Sequence, residues 1–155
     1  MSYDKPNISL METKLSIAAV DGFPLAATLF EASPSAPFVI INSATAVPRQ
    51  FYNSFARYLV QNGFSVLTYD YRGIGGSRPK SLKSFDAIMR DWVLGDMTGI
   101  LDWVRVEKQP DRLHLIGHSF GGQAAGLLEK TDDIHSMLTF SAQSGHWRLQ
   151  GGEQK

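Results

Sequence analysis

The stretch RLHLIGHSFGGQAAGLLEK, residues 112–130, decides how this chain is read. Leu113 to Ile116 is a short apolar run closed by Gly117, the pattern of a strand buried on both faces. From Phe120 the composition turns helical, and the run predicts a helix over residues 119–130. Between the two stands Ser119, in a G-x-S-x-G pattern with Gly117 and Gly121 two residues to either side. A serine on so sharp a strand-to-helix turn needs small neighbours at those places. Gly122, Ala124 and Ala125 would also let the helix lie close to the sheet. The pattern alone arises readily by chance; its position between strand and helix gives it weight. The helix start aims free N–H groups and a partial positive charge at the space above the serine.

The flanking sequence keeps the same rhythm. FVIIN (38–42) is a short continuous apolar run of strand length, and FSVLTYD (64–70) returns to strand character. PRQFYNSFARYLVQNG (48–63) sets Phe51, Phe55, Tyr58 and Leu59 at i, i+4, i+7 and i+8. That spacing predicts one apolar helical face, with Pro48 near its start and Gly63 past its end. SFDAIMRDWVLGDMTGILDWVRVE (84–107) predicts another helix, and HSMLTFSA (135–142) a last strand. Ahead of these, KLSIAAV (14–20) and PLAATLFE (24–31) flank Asp21-Gly22 as a β-hairpin. The order ββ, then β-α-β-α-β-α-β, predicts an α/β fold: a mostly parallel, doubly wound sheet with an N-terminal antiparallel hairpin. Residues 1–13 are read as a polar leader and 14–155 as the N-terminal portion of a single domain.

Composition removes several classes of function. Lys plus Arg and Asp plus Glu number 15 each and are scattered, so no field attracts nucleic acid, and none is expected as a partner. The absence of cysteine removes disulfides, thiolate metal sites and a cysteine nucleophile together. No apolar run approaches the ~20 residues that span a bilayer, and the N-terminus lacks a signal-like apolar core. A cytoplasmic location is the expectation. The glycines of YRGIGGSRP (71–79) do not form a dinucleotide loop, because Arg78 stands where the last glycine of G-x-G-x-x-G belongs.

Three segments together carry a resemblance: FVIINSATAVPRQFY (38–52), GFSVLTYDYRGIGGSRP (63–79) and LHLIGHSFGGQAAGL (113–127). Their order and spacing resemble the α/β-hydrolase fold, and within it the serine aminopeptidase-like hydrolases, over roughly residues 14–148. Asp70 to Ser77 is similar to the D-x-R-G-x-G-x-S loop after the fourth strand of that fold. The resemblance implies that Ser119 is a nucleophile toward a small-molecule ester or amide, with no metal and no organic cofactor. It implies backbone oxyanion donors at Phe120 and at Ala44, with Thr45 the alternative to Ala44. Asn42-Ser43 replaces the His-Gly usual after that strand, which leaves the role to the loop because the donors are backbone groups.

A serine hydroxyl needs a base and a carboxylate that orients the base, and in this fold they follow it in the order Asp or Glu, then His. Asp132, Asp133 and His135 come after Ser119, but at the far end of a helix on the order of 16 Å long, so they are read as a solvated turn. His146 follows the last strand without a carboxylate near it in sequence, and is read with Trp147 as part of a pocket wall. His118 and His114 are assigned to packing or local hydrogen bonds. Asp70 is expected to fix its loop through Arg72 or backbone N–H groups. The chain is therefore expected to hold a nucleophile and oxyanion hole without the proton-transfer pair, as the leading part of an interrupted hydrolase. A non-catalytic binding module and a nonfunctional fragment stay open beside that reading. HSMLTFSA is expected to be an exposed sheet edge through which copies self-associate.

Overall fold

Alternation in the first strands produces the expected hairpin: β1 (Met11–Ala18) pairs antiparallel with β2 (Pro24–Glu31), Ile17 opposite Leu25. β1 starts three residues before the alternation read from Lys14. The turn is closed by the Gly22 N–H donating to the Ala19 carbonyl, 2.8 Å, with Gly22 at a φ of 83°. The computed structural model describes residues 11–81, 83 and 85–143. The rest of the leader, His146, Trp147 and the tail after them lie outside the described residues.

Four further strands complete a six-stranded sheet in the order β1-β2-β4-β3-β5-β6. They are β3 (Phe38–Asn42), β4 (Ser65–Tyr69), β5 (Leu113–His118) and β6 (Ile134–Phe140). β3 pairs in parallel with β4 and β5, and β5 with β6, while β2 meets β4 antiparallel. The predicted fold class is the observed one.

Every residue of β3 and β4 is buried, the polar Asn42, Ser65 and Thr68 included, as expected of strands covered on both faces. Period-two alternation splits them between two cores. Val39, Ile41, Val66 and Ile116 face helix α1 (Asn53–Gln61). Ile40, Leu67 and Leu115 share the other core with Met97 and with Ile100, Leu101 and Val104 of α3 (Thr98–Glu107). Each fully buried Leu, Ile or Val contributes about 1.5–3 kcal/mol by leaving water. β4 lies on one side of β3 and β5 on the other, so the chain after β3 leaves toward α1. The chain after β5 leaves toward α4 (Phe120–Ala124), on the α3 face. That divergence opens a crevice at the carboxyl ends of β3 and β5.

The apolar face predicted for α1 is corrected. Phe51, Phe55 and Tyr58 are exposed, at 69%, 37% and 55%, while Tyr52, Ala56 and Val60 are buried, with Leu59 partly so. Small residues at 56 and 60 let the helix settle onto the sheet, and the larger rings stack beside it, Phe55 on Tyr58 at 6.5 Å. The second predicted helix starts later. Helix α2 (Met89–Asp91) begins where the Asp91 carboxylate accepts the Ile88 N–H, 2.9 Å, and a π-helical stretch, Trp92–Met97, joins it to α3. The helix after Ser119 is also shorter than predicted, passing to a 3₁₀ turn at Ala125–Leu127.

The π stretch delivers Asp96, fully buried, to Arg72. Asp96 accepts from the Arg72 N–H (2.8 Å) and Nε (2.7 Å), and the same guanidinium donates to Asp21 in the hairpin turn. Burial raises the Asp96 carboxyl above the usual aspartate range despite those two bonds. Among the described residues no helix is long and apolar enough to cross a membrane.

The corrected face of α1 makes a stability prediction. Val60→Ala, at a fully buried position, should cost about 2 kcal/mol in urea unfolding, whereas Phe51→Ala should stay within about 0.5 kcal/mol. Equal losses at the two positions would show that the face carrying Phe51 is buried after all.

Candidate active site

Ser119 joins β5 to α4 with φ 48° and ψ −114°, a conformation that residues bearing a Cβ avoid. Three main-chain bonds hold it there. Its N–H donates to the Phe140 carbonyl of β6 (3.0 Å), and its carbonyl accepts from Gly122 (3.0 Å) and Gln123 (3.1 Å). The glycines around it are spacers of measurable need. A Cβ on Gly117 would come within 2.5 Å of the Gly122 Cα, and one on Gly121 would overlap the Asn42 carbonyl of β3. Gly122 in turn faces Thr139 and Ala142. The elbow thus fits only because backbone lies directly on backbone.

The loop after β3 reaches the elbow from the other strand, since Asn42 pairs with Gly117. Tyr52 joins them. Its hydroxyl accepts the Ala44 N–H (3.0 Å) and lies 2.9 Å from His118 Nδ1. His118 also stacks on Phe140, with ring centroids 4.6 Å apart. Burial pushes the Tyr52 phenol above its ordinary range, partly offset by the Ala44 N–H. On the other side, Phe120 meets Tyr71 and Trp92 edge to face at 5.8 and 5.4 Å, and those two rings stack at 5.1 Å. The Trp92 indole donates to the Arg72 carbonyl, 3.0 Å.

Asp70, fully buried at the end of β4, braces both loops. It accepts from the Arg49 N–H (2.6 Å), the Arg49 guanidinium and the Gly76 N–H (2.8 Å). The backbone part of the expectation holds, but the cation is Arg49; Arg72 is engaged by Asp96 and Asp21. The partner changes because Arg49 stands one residue past Pro48, at the end of the loop that Asp70 faces.

The sequence profile of the alpha/beta hydrolase fold family matches residues 36–150. The chain belongs to that family. The uncharacterized protein RP471 of Rickettsia prowazekii is 31% identical to this α/β hydrolase chain over 117 residues, which is 70% of the chain and 46% of that protein. The esterase Pf2001 of Pyrococcus furiosus superposes with a TM-score of 0.71 at 19% identity, over 90% of this chain and 53% of the esterase. XC6422 of Xanthomonas campestris, an α/β serine hydrolase without lid, superposes at 0.66 with 22% identity, over 88% of this chain and 63% of its own. The chain therefore spans about half the length of the first two relatives.

Within this α/β hydrolase fold, Ser119 and Phe120 follow the carboxyl end of β5, and Ala44 and Thr45 lie just past that of its neighbour β3. Asp132, Asp133 and His135 do not join them. Ile134 pairs with Leu113 at the opposite end of β5, and Asp133 is bound by Arg105 at 2.5 Å, which holds its carboxyl below the usual range. His114 is 2.8 Å from the Ser136 hydroxyl, a local structural contact. Among the described residues no group of three His, Asp or Glu side chains could hold a metal ion. A cleft of about 370 Å³ lined by Glu31, Phe38, Ser65 and Lys108 lies at the amino ends of β3 and β4, away from Ser119. Tyr52 was missed by sequence reasoning. The available signal was the i, i+4, i+8 row Tyr52-Ala56-Val60, in which a buried tyrosine requires a hydroxyl partner.

The backbone contact at the elbow makes a prediction. Gly121→Ala should destabilise the fold by about 3 kcal/mol, because the Asn42 carbonyl cannot yield. Gly126→Ala, which meets nothing within 4 Å, should lie between no change and about 1 kcal/mol of stabilisation. Denaturant unfolding of the pair checks the contrast, and a neutral Gly121→Ala would refute the close approach.

Proposed function

We propose that this chain carries the acylation centre of a cytoplasmic serine hydrolase that acts on small ester or amide substrates without a metal or organic cofactor. The observation that supports it is the backbone of Ser119. Strain of that kind, about 1–3 kcal/mol, persists where its surroundings over-determine it, and here those surroundings are a strand end, a helix start and glycines in close approach to backbone and side chain. In the reaction, Ser119 Oγ bonds to the substrate carbonyl carbon while its proton passes to a base. The carbonyl oxygen takes the negative charge. Collapse expels the alcohol or amine carrying that proton, and water then releases the acid and regenerates Ser119.

The Phe120 N–H, first in α4 and without an intrahelical acceptor, supports the oxyanion from one side. The loop after β3 supports it from the other, through Ala44 or Thr45. No described imidazole or carboxylate hydrogen-bonds the Ser119 hydroxyl, so the reading takes its base and orienting acid from outside the described residues. A fluorophosphonate probe tests the nucleophile directly. Labelling should occur on Ser119, as located by peptide mass spectrometry, and vanish in Ser119→Ala. A folded chain that takes no label even in alkaline buffer, where hydroxide takes the hydroxyl proton in place of the base, would refute the reading and favour a binding role for the crevice.

We also infer that copies of this chain associate through β6. Among the described residues β6 has no partner beyond β5, and Met137, Leu138 and Phe140 are exposed along it. The balanced charge leaves little mutual repulsion to oppose pairing. Sedimentation velocity should show species heavier than 17.1 kDa growing with concentration. One monomeric species at every concentration would overturn this.

A further inference from the structure

Both backbone groups of Ala44 are already committed. Its N–H donates to the Tyr52 hydroxyl, 3.0 Å, and its carbonyl accepts the Val47 N–H, 3.2 Å. The second bond closes a tight turn over Thr45 and Ala46, the latter at a φ of 61°. In a trans peptide the C=O and the following N–H point in opposite directions. With the Ala44 carbonyl directed into the turn, the Thr45 N–H is directed out of it. Thr45 is exposed, and its N–H has no partner among the described residues.

Tyr52 supplies the other half of the arrangement. Its ring is 3% exposed in the core beneath α1, so the hydroxyl has little freedom to move. A phenol has one proton and accepts through its lone pairs. The oxygen accepts from Ala44 and lies 2.9 Å from His118 Nδ1; with the imidazole hydrogen assigned to Nε2, the phenol donates its proton to Nδ1. His118 is covalently next to Ser119. One hydroxyl therefore ties the loop after β3 to the elbow after β5, and each bond polarises the other.

Resting on the hydrolase reading above, we propose that Tyr52 is a positioning residue: it pins Ala44 and leaves the Thr45 N–H, rather than that of Ala44, to hold the oxyanion with Phe120. Amide hydrogen exchange read by NMR on the intact chain tests the pinning without any activity. The Ala44 amide should be protected and that of Thr45 should exchange freely. Tyr52→Phe keeps the ring and should cut protection at Ala44 about tenfold while Val39 and Ile41 in β3 keep theirs. His118→Ala should loosen Ala44 in the same direction, and His118→Asn, which retains an acceptor near the Nδ1 position, should restore it. If Tyr52→Phe unfolds, the β3 amides reveal it, and the two His118 variants then decide.

The fluorophosphonate adduct tests the donor. The amide protons of Thr45 and Phe120 should shift downfield on labelling and that of Ala44 should not, and Tyr52→Phe should label about tenfold more slowly. Free exchange at Ala44 in the unmodified chain, or a downfield shift there in the adduct, would overturn the assignment. Failure of every variant to label in alkaline buffer would instead sink the hydrolase reading, with exchange at Ala44 still deciding whether Tyr52 pins the loop.

Discussion

A main chain bent against its own preference at Ser119 is the constraint to which the surrounding structure answers. Positive φ at a residue with a Cβ is unfavourable, so the neighbouring chain has to make every alternative worse. It does so by contact. Gly117 lies on Gly122, Gly121 on the Asn42 carbonyl, and the Ser119 N–H is drawn to β6. The strand spacing, the short α4 and the glycine content are one solution to one steric problem.

Buried charge does for the loops what glycine does for the elbow. Asp70 gathers Arg49 and Gly76, and Arg72 gathers Asp96 and Asp21, so the segments after β3 and β4, the hairpin turn and the π stretch are cross-braced. Burying ions is costly unless each is bonded, and both carboxylates are. The pairs fix geometry more than they add stability. That geometry matters because a backbone oxyanion donor acts only where it is held in place before charge develops.

Much of the fold is legible in the chain's local patterns. The apolar run at 38–42 matches β3 because a strand covered on both faces has no polar side to blur it, and 64–70 matches β4 through its β-favouring Phe, Val, Thr and Tyr. The Ser119 turn is legible because strand, serine and glycines are contiguous. The face of α1 is misleading because large apolar residues suggest burial, whereas a helix packed closely on a sheet buries its small ones. The Arg49–Asp70 pair escapes sequence reasoning because its members are 21 residues apart and meet only across the sheet.

Local sequence by itself determined the elements, their order and the sharp turn at Ser119, since hydrophobic period and glycine spacing act over a few residues. Tertiary structure alone decided that Tyr52, Ala44 and His118 share one hydroxyl, and that Arg49 rather than Arg72 holds Asp70. The physical reason is that strand order and register bring together residues that no local pattern relates. A hydrogen bond across 66 residues of chain exists only once the sheet has formed.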